Sequence, residues 1–303
     1  MKKPAGSIFK SVLVISITAL IFYLLFTKIS FFSVLNVLLS SDPLWLVIAL
    51  LLSLSVVAVV AKRWQTLLKI LGYDLRYKES LYLILGALPL TSITLAKTGD
   101  VIKAYYLKDK VPPSKTIGAV VVERTFDILS LTLLSLIGML FCQRYELASI
   151  AFIILVCIVV IFILAHFTFR LPIKNSWNER IQNLLLPLRL LTGHKTSFCF
   201  VFFYSLLIWF ISIVQTMTFF YAVGTNVPLL FTVANIPIAI FIGLIPITLG
   251  GMGTRDAAII FLFSEFTTPE NLFGVGILFS IFRYWLLSLI GIPFMRKMVN
   301  KVS

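Results

Sequence analysis

Three charged residues lie deep within one long apolar run of this 303-residue chain. At a rise of about 1.5 Å per residue, Glu123, Arg124 and Asp127 would sit roughly 10–18 Å beyond Thr116, where the run begins. Glu123 and Asp127 are one helical turn apart and share a helix face. A charge near the centre of a bilayer costs at least about 2.5–3.5 kcal/mol, so these groups must pair with each other or line a wet cavity.

A second group of ionisable residues, Arg255, Asp256 and Arg283, lies in the apolar C-terminal part of the chain. The two groups together hold equal numbers of acidic and basic side chains, so complete neutralisation is arithmetically allowed. Arginine suits phosphate because its planar fork binds two oxygens at once. We therefore predict that the arginines bind an anionic headgroup and the carboxylates hold them in place; the alternative is a structural ion-pair network. The predicted binding residues are Arg124, Arg255, Arg283, Glu123, Asp127 and Asp256.

Glycine-rich turns add backbone groups to this prediction. Glycine permits close backbone approach, and the free N–H groups at a helix start form an anion site. The alternative for the glycines is a helix break with tight packing, and the alternative for Lys97 is a solvated surface charge. The predicted turn residues are Gly250, Gly251, Gly253, Lys97, Gly99 and Asp100.

The elements that must position these residues are membrane-spanning helices. The chain is 60% hydrophobic, its mean hydropathy is +1.05, and only 13% of its residues are charged, about half the share in soluble domains. Its apolar runs are continuous and long enough to cross a bilayer, and they lack the alternation of β-strands. We predict an all-α, polytopic integral membrane protein with about six full spans. These are Val12–Phe26, Pro43–Ala61, Thr116–Phe141, Ala148–Phe169, Phe198–Ala222 and Phe273–Phe294.

Two further apolar stretches, Ser80–Ala96 and Phe231–Leu249, are interrupted by prolines and followed by glycine-containing turns. We predict that they are re-entrant helical hairpins; a chain of about eight conventional spans is the alternative. The run Leu88–Thr91 is similar to Ile245–Thr248, and each precedes a glycine turn and a further helix. Interrupted segments in corresponding places point to a binding site built on inverted repeats, with chance similarity as the alternative.

The distribution of positive charge predicts the topology. The net charge is +14, and 21 of the 26 Lys and Arg residues fall in segments that this arrangement places on the cytoplasmic side. This is the positive-inside pattern, and it predicts a multi-pass protein of the cytoplasmic membrane with both termini in the cytoplasm. The expected partners are therefore anionic membrane lipids rather than nucleic acid. The scattered cysteines and histidines predict no metal site.

Catalytic motifs are missing from the sequence. It contains no Asp-x-Asp pair, nucleophile elbow, phosphate-binding loop or zinc pattern. We expect residues 1–303 to form a single transmembrane domain without a soluble catalytic domain, a cofactor or a catalytic residue. These observations disfavour an enzyme. A membrane-embedded transferase with Glu123, Asp127 or Asp100 as base, and a non-catalytic subunit of an envelope-synthesis complex, stay as alternatives.

Three motifs resemble a known family. They are KTGDVIKAY at Lys97–Tyr105, VVERTFD at Val121–Asp127 and IPITLGGMGTRDA at Ile245–Ala257. In this order they resemble the signatures of the lysylphosphatidylglycerol synthase transmembrane region family, also called flippase-like. One departure is Asp256, which stands where the family usually has glutamate.

The resemblance implies translocation of a phospholipid or polyprenyl-phosphate-linked lipid between leaflets. Bifunctional members add a soluble domain that transfers lysine to phosphatidylglycerol, and we expect no such transfer from this chain. Relatives linked to polyprenol glycosylation suggest envelope glycosyltransferases as partners. The lipid, the direction of movement and the oligomeric state are left open by the sequence.

Overall fold

The structure is a computed structural model that describes residues 5–166, 175–245 and 248–302. All regular secondary structure in these ranges is helical, as predicted. The helices are α1 Ala5–Lys28, α2 Phe31–Leu39, α3 Pro43–Ile70, α4 Tyr77–Ile93, α5 Ile102–Tyr106, α6 Pro113–Phe141, α7 Tyr145–His166, α8 Asn175–Gly193, α9 Lys195–Ala222, α10 Leu229–Leu244, α11 Thr254–Leu262, α12 Pro269–Ser280 and α13 Leu286–Val302.

Three helical runs are long and apolar enough to span a bilayer: α3, α9 and the continuous run Pro269–Asn300. The bent pair α1–α2, with an 89° angle between its helices, adds a fourth if it counts as one span. The other two predicted spans correspond to α6, which carries the buried charges, and α7, whose apolar part is described over Tyr145–Val160. The prediction of an all-α membrane protein is confirmed.

One helix boundary differs from the prediction. The second span was expected to end at Ala61, ahead of a cytoplasmic basic turn, but α3 continues to Ile70. Arg63 therefore lies inside the helix, and only 2% of its surface is exposed. The helix continues because the residues after Ala61 include Trp64, Leu67 and Leu68, which are also buried against neighbouring helices.

Both interrupted segments form a helix, a tight 3-10 turn and a shorter helix. The first consists of α4, the turn Leu95–Val101 and α5; the second consists of α10, the turn Leu249–Gly251 and α11. The two turns contact each other. A Cβ atom built on Gly250 would also lie 3.2 Å from the carbonyl oxygen of Ser92, near the end of α4. The described segments thus converge at one place, and whether each re-enters or crosses the bilayer stays a prediction.

The long helices pack in pairs around this meeting point. The most extensive pairing joins α3 to α9, followed by α4 with α13 and α6 with α10. Close approach in the last two pairs depends on glycine. A Cβ on Gly138 of α6 would lie 2.5 Å from the backbone nitrogen of Ala234 in α10. Small residues of this kind let membrane helices come into backbone contact.

Candidate functional site

Glu123 stands at the centre of a buried group of charges. Pro113 occupies the first turn of α6, where its missing N–H costs nothing, and the helix carries Glu123 into the core. The side chain is fully buried and accepts from Arg63 at 3.1 Å and from Lys103 at 2.8 Å. The Lys103 ammonium also lies 4.4 Å from the centre of the Trp64 ring. Glu123 thus joins α3, α5 and α6 through two cations.

Asp127, one turn further along α6, is bound by a similar set of donors. Arg63 donates to its Oδ1 at 2.7 Å, and Arg124 donates to its Oδ2 at 3.0 Å. The indole N–H of Trp209 in α9 donates to Oδ1 at 3.1 Å. Arg63 also donates to the hydroxyl of Ser205 at 2.8 Å. The shared helix face predicted for Glu123 and Asp127 is therefore turned toward one arginine of α3.

Asp100 ties the first interrupted segment to the same group. It forms a close ion pair with Arg124 and lies 3.4 Å from the Lys103 ammonium. The hydroxyl of Thr91 donates to its Oδ1 at 2.9 Å. We call the resulting set the six-charge cluster. Its members are Arg63, Asp100, Lys103, Glu123, Arg124 and Asp127.

The six-charge cluster balances three cations against three carboxylates. Removing one partner of such a buried pair leaves an uncompensated charge, so the cluster holds its helices together as a unit. The sequence interpretation missed Arg63 and Lys103 because both were assigned to cytoplasmic loops. Lys103 lies one helical turn after Asp100, and that spacing was the available signal for its pairing.

Arg255 and Asp256 form a separate ion pair on α11. Arg255 donates to Asp256 at 3.0 Å from Nε and 2.5 Å from a terminal nitrogen. The same nitrogen donates to the Gly276 carbonyl at 3.0 Å and the Ser280 hydroxyl at 2.7 Å. The other terminal nitrogen is buried without a hydrogen-bond partner, and the guanidinium lies 4.3 Å from the centre of the Phe279 ring.

The glycine turn before α11 makes its contacts within the protein. Asp256 also accepts from the Gly253 N–H at 2.9 Å, so this carboxylate caps its own helix. Gly250 and Gly251 have φ values of 59° and 75°, which favour glycine. A Cβ on Gly251 would lie 2.4 Å from the Gly243 carbonyl oxygen, so the turn is tightly packed. The predicted N–H anion site is therefore occupied by Asp256 at Gly253.

The corresponding turn of the first interrupted segment is also closed by packing. Gly99 donates its N–H to the Thr94 hydroxyl at 2.7 Å. A Cβ on Gly99 would lie 2.3 Å from the carbonyl oxygen of Leu90. Asp100 joins the six-charge cluster directly, whereas the side chain of Lys97 lies outside the described residues. Gly99 thus acts through close packing, and the role predicted for Lys97 stays a prediction.

Arg283 is a buried cation that takes part in none of these ion pairs. It lies in a π-helical turn, Ile281–Trp285, between α12 and α13, a distortion that is frequent at functional sites. Only 9% of its surface is exposed, and one terminal nitrogen is buried without a partner. The centre of the Trp209 ring lies 6.0 Å from its guanidinium. Among the described residues, Arg283 makes no ion pair and no hydrogen bond.

Two cavities meet at Arg283. The larger has a volume of about 100 Å³ and is lined by the whole six-charge cluster together with apolar residues such as Val57 and Leu88. The smaller has a volume of about 20 Å³ and is lined by Arg255, Gly250 and their neighbours. A cavity needs about 10–15 Å³ to hold a water molecule, so the larger one has room for several and the smaller one for about one.

Known proteins are similar to this chain over most of its length. Residues 9–291 match the family described as the lysylphosphatidylglycerol synthase TM region. A UPF0104 membrane protein of Methanocaldococcus jannaschii is 24% identical over 312 residues, covering 93% of each chain. Another from Methanothermobacter thermautotrophicus is 22% identical over 301 residues, covering 87% of this chain and 88% of its own length. This integral membrane protein therefore belongs to the lysylphosphatidylglycerol synthase transmembrane region family.

Proposed function

We propose that this protein moves an anionic lipid between the leaflets of the cytoplasmic membrane, with Arg283 as the main ligand of the headgroup. The lipid is a phospholipid or a polyprenyl-phosphate-linked lipid. The observation that carries the proposal is the unpaired state of Arg283 at the junction of two cavities. Intramembrane ionisable residues mark substrate pathways by default, and this one makes no ion pair and no hydrogen bond among the described residues.

The balance of buried charge supports an anion as the ligand. The six-charge cluster is neutral, and Arg255 pairs with Asp256. Arg283 therefore leaves one positive charge uncompensated among the described buried groups. A lipid phosphodiester carries one negative charge and offers the oxygens that a guanidinium binds best. Binding such a headgroup would neutralise the site, whereas a cationic ligand would add to the existing charge.

The state of the carboxylates favours transport over a transferase reaction. Glu123, Asp127 and Asp100 were the candidate bases, and each is bound by cations of the six-charge cluster. These carboxylates position arginine and lysine side chains along the larger cavity wall. Because the sequence has no nucleotide-binding motif, we propose that lipid movement is gradient-driven or facilitated. The positive-inside distribution places both termini in the cytoplasm in this proposal.

The proposal is tested with purified protein in vesicles that contain fluorescent phosphatidylglycerol, fluorescent polyprenyl phosphate or fluorescent phosphatidylcholine. Quenching by a membrane-impermeant reductant reports how fast each lipid changes leaflet. A hydrogen bond to a charged group contributes about 1.5–3 kcal/mol. We therefore expect Arg283→Gln to slow one of the two anionic lipids by about ten- to hundredfold. The zwitterionic lipid should move slowly in both proteins.

Arg296→Gln is the matched control, because Arg296 lies on the same helical run but is exposed. It should transport at the wild-type rate. Arg283→Gln removes an unpaired buried charge, so its melting temperature should equal or exceed that of the wild type while transport falls. Wild-type transport by a folded Arg283→Gln variant would show that the assigned headgroup ligand is wrong.

A further inference from the structure

The helix boundaries of the chain repeat at a constant interval. The helices α3 and α9 have the same length of 28 residues. The helices that follow them, α4 and α5 after α3 and α10 and α11 after α9, start at the same distances along the chain. Each member of the later set begins 152 residues after its counterpart, at 195, 229 and 254 against 43, 77 and 102. Residues 43–141 are called the N-terminal repeat here, and residues 195–302 the C-terminal repeat.

The turns that follow α3 and α9 repeat in detail. Gly72 and Gly224 occupy equivalent positions and have φ values of 86° and 75°. After Gly72, the N–H of Tyr73 donates to the Leu68 carbonyl at 3.0 Å. After Gly224, the N–H of the equivalent residue donates to the Phe220 carbonyl at 2.9 Å. Both helices therefore end in the same glycine-dependent cap.

Side-chain hydrogen bonds between α3 and α9 are related by a two-fold axis. Arg63 of α3 donates to Ser205 of α9 at 2.8 Å. Gln215, the equivalent of Arg63, forms a close hydrogen bond to Ser53, the equivalent of Ser205. Each bond is the image of the other, and the pairing order shows that the helices are antiparallel. Because both helices are long enough to span a bilayer, the axis lies in the membrane plane and the repeats are inverted.

The last helices of the two repeats share an identical hexapeptide. The sequence LLSLIG occurs at Leu133–Gly138 in α6 and at Leu286–Gly291 in α13. The serine of the first copy donates to the Ala234 carbonyl at 3.1 Å, and that of the second donates to Leu88 at 3.5 Å. A Cβ on the glycine of the second copy would lie 2.4 Å from the Leu85 carbonyl oxygen. Each hexapeptide therefore packs on the first helix of the other repeat's interrupted segment.

The two cavities are equivalent places in the two repeats. Five residues that line the smaller cavity occur 152 residues after five that line the larger one. These pairs are Val57 with Trp209, Leu88 with Ile240, Thr91 with Gly243, Ser92 with Leu244, and Lys103 with Arg255. The two repeats therefore contain equivalent cavities, a larger one in the N-terminal repeat and a smaller one in the C-terminal repeat.

Arg283 lies where both cavities reach. Arg283, Trp209 and Tyr284 line the larger cavity and the smaller cavity alike. Arg283 thus faces both cavities, and the two-fold axis relates the places of these cavities in the two repeats. In the described state, the volume of the larger cavity is about five times that of the smaller cavity, at about 100 against 20 Å³.

We infer that the smaller cavity is a second access route to Arg283 for the same anionic headgroup. It opens when the two repeats exchange conformations, and the larger cavity closes in that state. This inference rests on the proposed function for the identity of the ligand, but the exchange itself requires no lipid movement. It assigns Ile240, Gly243 and Leu244 to a ligand route, and it makes Arg283 the fixed point around which access alternates.

Cysteine labelling at equivalent positions tests the exchange in the full chain. Leu88→Cys and Ile240→Cys are introduced separately after the three native cysteines, Cys142, Cys157 and Cys199, are replaced by alanine. A membrane-impermeant maleimide is then added to either face of sealed vesicles. We expect labelling of the Leu88→Cys variant from one face and of the Ile240→Cys variant from the opposite face. Failure to label Ile240→Cys from either face, or labelling of both variants from one face, would overturn the inference.

A second equivalent pair and the transport assay keep the result unambiguous. If either variant melts well below the cysteine-free protein, Ser92→Cys and Leu244→Cys replace the pair, with the same expected pattern. Labelling from opposite faces without transport of phosphatidylglycerol or polyprenyl phosphate would support the two routes and contradict the proposed lipid function. Transport without labelling of Ile240→Cys or Leu244→Cys would support the lipid function and contradict the second route.

Discussion

The two repeats share a backbone plan but differ in how they use charge. In the N-terminal repeat, Arg63 binds two carboxylates of α6, whereas its equivalent Gln215 is neutral and binds Ser53. Lys103 meets the carboxylate of Glu123, whereas its equivalent Arg255 donates to the backbone carbonyl of Gly276 and to a hydroxyl. The fold therefore tolerates either chemistry at equivalent places.

The two repeats differ in how strongly buried ion pairs tie their helices together. Ion pairs that are buried and shared between several helices are costly to break, so we expect the six-charge cluster to stay intact while the repeats exchange conformations. The C-terminal repeat has the buried ion pair of Arg255 with Asp256, both on one helix, and otherwise hydrogen bonds to neutral groups, which contribute less individually. Its cation Arg283 makes no ion pair among the described residues, and in our proposal an external anion neutralises it. We expect the charge of the ligand to act mainly on the C-terminal repeat, through Arg283.

The largest effect should follow from opening the six-charge cluster. Glu123→Gln leaves Arg63 and Lys103 with one negative partner fewer in a fully buried place. We expect the free energy of unfolding to fall by about 3–5 kcal/mol, measured by denaturation in detergent micelles. Glu79→Gln is the control, since Glu79 and its partner Lys110 are both about half exposed, and it should cost less than about 1 kcal/mol. Equal losses would contradict the central role of the cluster.

An intermediate effect should be the same in both repeats. Gly138→Ala and Gly291→Ala each push a Cβ to within about 2.5 Å of the other repeat's backbone. Because the backbone cannot rotate away, each should cost about 3 kcal/mol in unfolding experiments, and the double variant should show the sum. Gly193→Ala, with open space around the new Cβ, is the control and should be neutral or stabilising. Unequal losses at Gly138 and Gly291 would weaken the symmetry assignment.

The smallest change in stability should distinguish two equivalent serines, one from each repeat. Ser205→Ala removes a hydrogen bond from the charged Arg63, and Ser53→Ala removes one from the neutral Gln215. We expect losses of about 1.5 and about 0.5–1 kcal/mol, respectively, in the free energy of unfolding. The paired measurement needs no further control, because the residues are equivalent. A larger loss for Ser53→Ala would reverse the assignment of the charged repeat.

Much of the site was recognisable from residue type and depth alone. Glu123, Arg124 and Asp127 stood out because charge inside an apolar run is rare, and the structure brings them together with Asp100. The six predicted charges balance in sign, but Arg283 makes no ion pair among the described residues. Arg63, which was expected in a loop, takes the central place between the carboxylates of α6.

The predicted repeat was present, but its register was different. The sequence comparison matched Leu88 with Ile245 because proline follows each of them. The helix starts instead make Ile240 the equivalent of Leu88, five residues before Ile245. Pro89 lies inside α4, which continues to Ile93, whereas α10 ends at Leu244, two positions before the second proline in the sequence, so the two prolines do not mark equivalent places. The residues 246–247 of the second motif lie outside the described structure.

The sequence by itself determined that this chain spans a membrane as helices, because long apolar runs leave the backbone no other way to satisfy its hydrogen bonds. It also singled out Glu123, Arg124 and Asp127, since their depth follows from their place in such a run, but it did not identify Arg63 or Lys103 as buried. Only the tertiary structure decided which charges pair. Pairing depends on contacts between helices far apart in sequence, such as Arg63 with Asp127, and these contacts leave Arg283 without an ion pair among the described residues.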